Sequence, residues 1–154
     1  TLLGHIDGED SSEGISYLEL AEFITSNGAK VTEDLEQLWR RIVFNICVSN
    51  TDDHFRNHGF ILTPQGWVLS PAYDINPVET GNGLKLNITE NDNALDLKLV
   101  LEVHMYFRLS QKRAEEIIEE VKSSVKNWRK IASKYGISYT EQELKSRAFQ
   151  QSEL

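Results

Sequence analysis

Seven residues between positions 33 and 48 fall at alternating steps of three and one: Leu35, Leu38, Trp39, Ile42, Val43, Ile46 and Cys47. That rhythm tracks the helical turn, so their side chains line one stripe of a helix from about Glu33 to Val48. A helix carrying such a stripe has to bury it against other elements. The chain has 154 residues, one domain's worth over 1–154 and enough to bury most of its apolar surface in a single core.

Other local signals fill in the rest. Residues 5–14, rich in Gly, Asp, Glu and Ser, read as an exposed loop. Ser16 with Glu19 forms a capping box for a short helix to about Ser26, closed by Asn27-Gly28. Phe60-Ile61-Leu62 and Trp67-Val68-Leu69 flank Thr63-Pro64-Gln65-Gly66, a turn sequence between two strands. A short strand is expected over Leu84 to Ile88, helix from about Ala94 to Phe107, and a longer helix after Ser110. That last helix carries Ala114, Ile117, Ile118, Val121, Val125, Trp128, Ile131 and Ala132 on one face until Gly136 stops it. Thr140 and Glu143 box a final short helix, and the Ser/Gln-rich end is expected to fray. The fold class is mainly α with a small β hairpin and short strands.

The net charge of −8 argues against autonomous nucleic-acid binding, which depends on Lys and Arg neutralising phosphates. A basic stripe through Lys112, Arg113, Lys122, Lys126, Arg129, Lys130 and Lys134 is interrupted by Glu115, Glu116, Glu119 and Glu120, as on a solvated face. There is no run of about eighteen apolar residues and no charged-then-apolar opening segment, so a cytoplasmic location is expected. The single Cys47 lies on the apolar stripe and reads as a buried thiol.

The chemistry concentrates where the central helix ends, in Asn50-Thr51-Asp52-Asp53-His54-Phe55-Arg56-Asn57, with Asp74 downstream. Phosphoryl transfer by a kinase needs an Asp to take the proton of the attacking hydroxyl, an Asn for magnesium, and a second Asp from another segment. The Asp and Asn of a kinase catalytic loop lie five positions apart. Asp52 and Asn57 have that separation, whereas five beyond Asp53 is His58. Asp52 is therefore the candidate catalytic base, and Asn57 and Asp74 are the candidate metal and cofactor ligands. Each has a structural alternative: Asp52 as a turn cap, Asn57 as a loop brace, Asp74 as a turn residue. His54 and His58 stand four apart, a spacing that on a helix can grip zinc, although loop stabilisation suits this polar segment better. Asp53 is expected to be exposed or to support its neighbours. Arg56 suits either phosphate neutralisation or a salt bridge to an acid such as Asp53. Tyr73 is expected to pack under the metal loop, and Asn45 with Asn50 to brace it.

The stretch from Ser49 to Phe60, followed by Leu69 to Pro77, resembles the C-terminal domain of HipA-type serine/threonine kinases, the toxin halves of bacterial toxin–antitoxin pairs. The likeness extends to Tyr17–Phe23 and Leu38–Asn45, and more weakly to Lys85–Ile88 and the helical tail. The resemblance implies the helical C-lobe of a kinase-like fold, with ATP and Mg2+ as cofactors. It also implies a HipB-like DNA-binding antitoxin as partner, and substrates that in this family include aminoacyl-tRNA synthetases. A nucleotide-covering N-terminal lobe is expected from the same or a separate chain. The only G-x-G, Gly81-Asn82-Gly83, lacks the third glycine and strand-to-helix context of a phosphate cradle and reads as a turn. Two other classes are a non-catalytic module binding an antitoxin or separate N-lobe, and a metal-dependent phosphohydrolase built on Asp52, Asp53, His54 and His58.

Overall fold

The computed structural model describes residues 2–6 and 8–153. Asp7, within the expected loop over 5–14, lies outside them. The central helix, α2, runs from Val31 to Cys47. All seven residues of its apolar stripe are at 0% exposure, so the stripe is the axis of the core. The preceding helix α1 (Tyr17–Asn27) starts with the Ser16–Glu19 capping box and buries Tyr17, Leu20, Ala21 and Ile24. On another side α4 (Gln111–Val125) buries Ala114, Ile117, Ile118, Val121 and Val125.

The hairpin forms where expected, from β1 (Phe60–Thr63) and β2 (Gly66–Leu69), antiparallel with Thr63 opposite Gly66. Gly66 has φ 133, and a Cβ there would come within 2.8 Å of the Asn27 carbonyl oxygen. Only glycine lets the turn sit this close to the end of α1. The Ala29 N–H bonds to the Trp67 carbonyl at 2.7 Å, and the Leu69 N–H donates to Asp34 Oδ2 at 2.9 Å. The return strand is thereby pinned to the α1–α2 connection and to α2 itself.

Six expectations need correction. Leu84, Leu86 and Ile88 are buried, and so is Asn87 between the last two, yet this segment is no strand and, among the described residues, makes one isolated bridge, Ser16 with Asn87. Its backbone pairs with the turn before α1 (Ser11 N–H to Lys85 O, Tyr17 N–H to Asn87 O) instead of a strand partner. The helix expected over 94–107 is α3 (Leu97–Glu102), capped by Asp96, followed by a 3₁₀ turn, His104–Phe107, that Arg108 ends at φ 55. The long helix after Ser110 breaks into α4 and α5 (Trp128–Lys134). At the break, the Asn127 side chain donates to the Ser123 carbonyl at 2.8 Å, a local bond that competes with helix continuation. Ile131, assigned to the buried stripe, is 51% exposed.

The last helix, α6 (Tyr139–Lys145), is boxed by Ser138 and Glu141, two residues earlier than Thr140 and Glu143. Both pairs have the right pattern, and the turn at Gly136, with φ 78, decides which one opens the helix. The Ser/Gln-rich end is ordered into a 3₁₀ segment, Ser146–Ser152. Ala148 and Ser152 are fully buried, and Phe149 stacks on Trp128 with ring centroids 4.1 Å apart. These three contacts outweigh the polar composition around them.

Ile42→Ala should lower unfolding free energy by about 2–5 kcal/mol in a denaturant titration. Ile61→Ala, at a side chain 51% exposed on the hairpin, should change it by less than about 0.5 kcal/mol.

Candidate active site

Beyond α2 the chain turns at Ser49, a non-glycine residue at φ 49. The turn is fastened to the helix twice, by the Asn50 N–H on the Asn45 carbonyl at 2.8 Å and by Asn50 Nδ2 on Asn45 Oδ1 at 3.1 Å. These are the bracing roles expected of the two asparagines. Asn45 then donates from Nδ2 to Asp53 Oδ2 at 2.8 Å.

The same oxygen of Asp53 receives two further bonds, from the Tyr17 hydroxyl at 2.6 Å and His58 Nε2 at 2.8 Å. Because Asp53 offers only an acceptor, Nε2 of His58 is the donor in that bond, and His58 Nδ1 is buried with no hydrogen-bond partner among the described residues. Burial first, then the Asp53 charge, holds the Tyr17 phenol well above the ordinary tyrosine value, so it remains a donor. Asp53 is 3% exposed, which corrects the expectation that it could lie at the surface. It is the hub on which α1, α2 and the start of the hairpin meet.

Asp52, its neighbour, is exposed. It lines an open cleft of about 280 Å³ with His5, Asp10, His54, Arg56 and Lys85. One wall is fixed by His5, which bonds Glu9 and Glu19 at 2.6 Å each. Glu19 above all raises the imidazole from the ordinary histidine value, so this anchor weakens as pH rises through the raised value. Arg56 forms no bridge to Asp53; its guanidinium lies 3.1 Å from His54 Nε2.

Asn57 is buried at the end of a 3₁₀ turn, Phe55–Asn57, and its Nδ2 lies 3.4 Å from both the backbone oxygen and Oδ2 of Asp74. The hairpin thus brings its two ends together, as the sequence order implies. Asp74 is exposed and sits at φ 55, a conformation costly for a non-glycine residue. Tyr73 holds the approach in place, since its hydroxyl donates to the Arg56 carbonyl at 2.5 Å. Tyr73 is 47% exposed, so it clips the loop from outside instead of packing beneath it.

Arg41 escaped the sequence reading. Its guanidinium donates to the Ser70 carbonyl, just before the Asp74 segment. It is buried, and desolvation lowers its pKa against the pull of Asp53 and Asp34. The signal lay in α2 itself: Asp34, Arg41 and Asn45 fall at i, i+7 and i+11, a polar stripe beside the apolar one, and all three are buried.

The donors near Asp74 suit a hard divalent cation. Magnesium takes one or two carboxylates from a protein when phosphates and water complete its shell; the Asp74 carboxylate is exposed here, with the Asn57 amide nitrogen turned toward it. Among the described residues no group of three or more His, Cys, Asp or Glu side chains converges on a common point. His58 is spent on Asp53 and His54 faces Arg56, so the phosphohydrolase constellation is not assembled.

Residues 1–128 match the pattern of a family described as "HipA-like C-terminal domain". A Haemophilus influenzae protein described as "Putative kinase" is 31% identical over 68 residues, 44% of this chain and 20% of that relative. The aligned stretch therefore spans about a fifth of the relative's length.

Tyr17→Phe removes one hydrogen bond to a buried carboxylate and should cost about 1.5–3 kcal/mol of stability, measured by urea unfolding. Asp53→Ala strands three donors and should cost more, about 3–5 kcal/mol. Burial pushes the Cys47 thiol up to about 12. Labelling by a thiol reagent at neutral pH should therefore proceed only at the rate of unfolding, which a denaturant series checks.

Proposed function

This chain belongs to the HipA-like C-terminal domain family, and on that premise we propose that it is the catalytic lobe of a protein serine/threonine kinase. One observation carries the reading: Asn57 and Asp74, from opposite ends of the hairpin, meet beside a loop whose only exposed carboxylate is Asp52. Asp53 cannot serve as base, since its carboxylate is buried under three donors. Asp52 lies open to a cleft and has the five-residue offset from Asn57 that a catalytic loop requires.

In the reaction, the acceptor hydroxyl oxygen bonds to the γ-phosphorus of ATP as the bond to the β,γ-bridging oxygen breaks. The hydroxyl proton passes to Asp52, and ADP leaves. The oxygens of Asp74 and Asn57 would hold magnesium, which supplies charge neutralisation at the phosphates when bound. Asp52 orients the acceptor oxygen in line with the scissile bond, a positioning role that supplies much of the rate in phosphoryl transfer. Arg56 and Lys85 line the same cleft, Lys85 paired with Asp10 at 3.6 Å. The complete protein would add a nucleotide-covering lobe, with a DNA-binding antitoxin of HipB type as partner and a cytoplasmic protein, such as an aminoacyl-tRNA synthetase, as substrate. No helix among the described residues is long and apolar enough to cross a membrane.

The test uses the complete protein with both lobes. Asp52→Asn should keep ATP affinity within about twofold while lowering phosphoryl transfer at least about 100-fold. Asp74→Asn should weaken magnesium-dependent nucleotide binding, read by calorimetry, and abolish transfer. An unaltered protein that binds its partner yet transfers no phosphate would favour the interaction-module reading. Full activity in Asp52→Asn would remove the assigned base.

A further inference from the structure

The Gly81-Asn82-Gly83 turn sits against the loop that carries Asp52. A Cβ on Gly81 would lie 2.0 Å from Thr51 Oγ1, 2.3 Å from its Cγ2 and 2.4 Å from its Cβ. Real Cβ atoms do not approach that closely, and no rotation of the Thr51 side chain moves its own Cβ out of the way. Gly81 is absent from the positive-φ residues of the chain, so alanine there is opposed not by a left-handed backbone but by the close approach of Thr51, which supplies the three nearest atoms. Gly83 is tight as well, with a Cβ there 3.0 Å from Asn93 Nδ2.

The turn has little freedom to retreat. Leu84 is fully buried, and its N–H and carbonyl are both bonded to Asn93, at 2.9 Å and 2.6 Å. On the other side of Gly81, Glu79 pairs with Lys145 of α6 at 2.6 Å. Thr51 is held less firmly, by a single backbone bond to Ser49 in a turn already at positive φ. A side chain added at position 81 would therefore displace Thr51, and the residue that moves with Thr51 is Asp52.

We infer that Gly81 is a positioning residue: its missing side chain lets the turn after Asp74 press on Thr51 and set where the Asp52 carboxylate stands. The inference rests on the kinase reading of Asp52 given above. It accounts for a G-x-G that has no phosphate to cradle, because both glycines serve close approach of backbone to side chain.

The experiment compares Gly81→Ala, Thr51→Gly and the double variant in the complete protein, with ATP, magnesium and an acceptor protein or autophosphorylation as readout. Gly81→Ala should unfold cooperatively and bind ATP and magnesium with KM within about twofold of the unaltered protein, while kcat falls about 100-fold, the effect of an ångström-scale misplacement. Adding Thr51→Gly removes the three atoms nearest the new Cβ and should restore kcat at least about tenfold over Gly81→Ala alone. Unchanged kcat in Gly81→Ala would overturn the inference and leave the kinase reading standing. A double variant no faster than Gly81→Ala would also overturn it, because the defect would not pass through Thr51. Absence of transfer by the unaltered protein would overturn the kinase reading and this inference with it.

Discussion

A single carboxylate oxygen, Oδ2 of Asp53, accepts hydrogen bonds from Tyr17 on α1, Asn45 on α2 and His58 just before β1. Burying a carboxylate is costly unless its lone pairs are occupied. Here the occupants come from three separate elements, so each is held at the distance the other two allow. Loss of any one leaves the charge under-compensated in a low-dielectric interior, which makes the arrangement cooperative. The loop from Ser49 to Asn57 hangs from this point, and its two adjacent aspartates are thereby separated in role. One is spent on structure and the other is left at the surface.

The rigidity of the mount comes from α2. Its apolar stripe fixes the helix in the core, and its polar stripe of Asp34, Arg41 and Asn45 reaches β2, the Asp74 approach and the Ser49–Asn57 loop in turn. Arg41 is held at a cost, since its Nε and Nη1 are buried without partners. Asp74 and Ser49 stand at positive φ. Such departures from local preference persist where surrounding packing over-determines them, and these two flank the Ser49–Asn57 loop and the end of the hairpin.

Much of this was legible along the chain. The apolar rhythm of α2, the Ser16 box, the hairpin with its Gly66 turn and the burial of Cys47 all follow from short-range rules, and those elements formed within two residues of the expected bounds. Errors arose where two local signals were equally good or where a distant contact outweighed a local one. Ser138–Glu141 and Thr140–Glu143 are both valid boxes. Leu84 to Ile88 alternates like a strand but finds the turn before α1 in place of a strand partner. The polar tail docks because Phe149 meets Trp128, more than twenty positions away in the chain.

The sequence by itself determined the helices α1 and α2, the segments that pair as a hairpin, and that Asp52 rather than Asp53 has the five-residue offset from Asn57. Those are properties of spacing, and spacing is written in the chain. The tertiary structure alone decided that Asp53 is buried, that Tyr17 and His58 join Asn45 on its oxygen, that Arg41 reaches Ser70, and that Gly81 touches Thr51. Each of those depends on residues brought together from distant parts of the chain. Periodicity and capping report only the few neighbours within reach of one turn, while desolvation and steric exclusion depend on everything nearby in space.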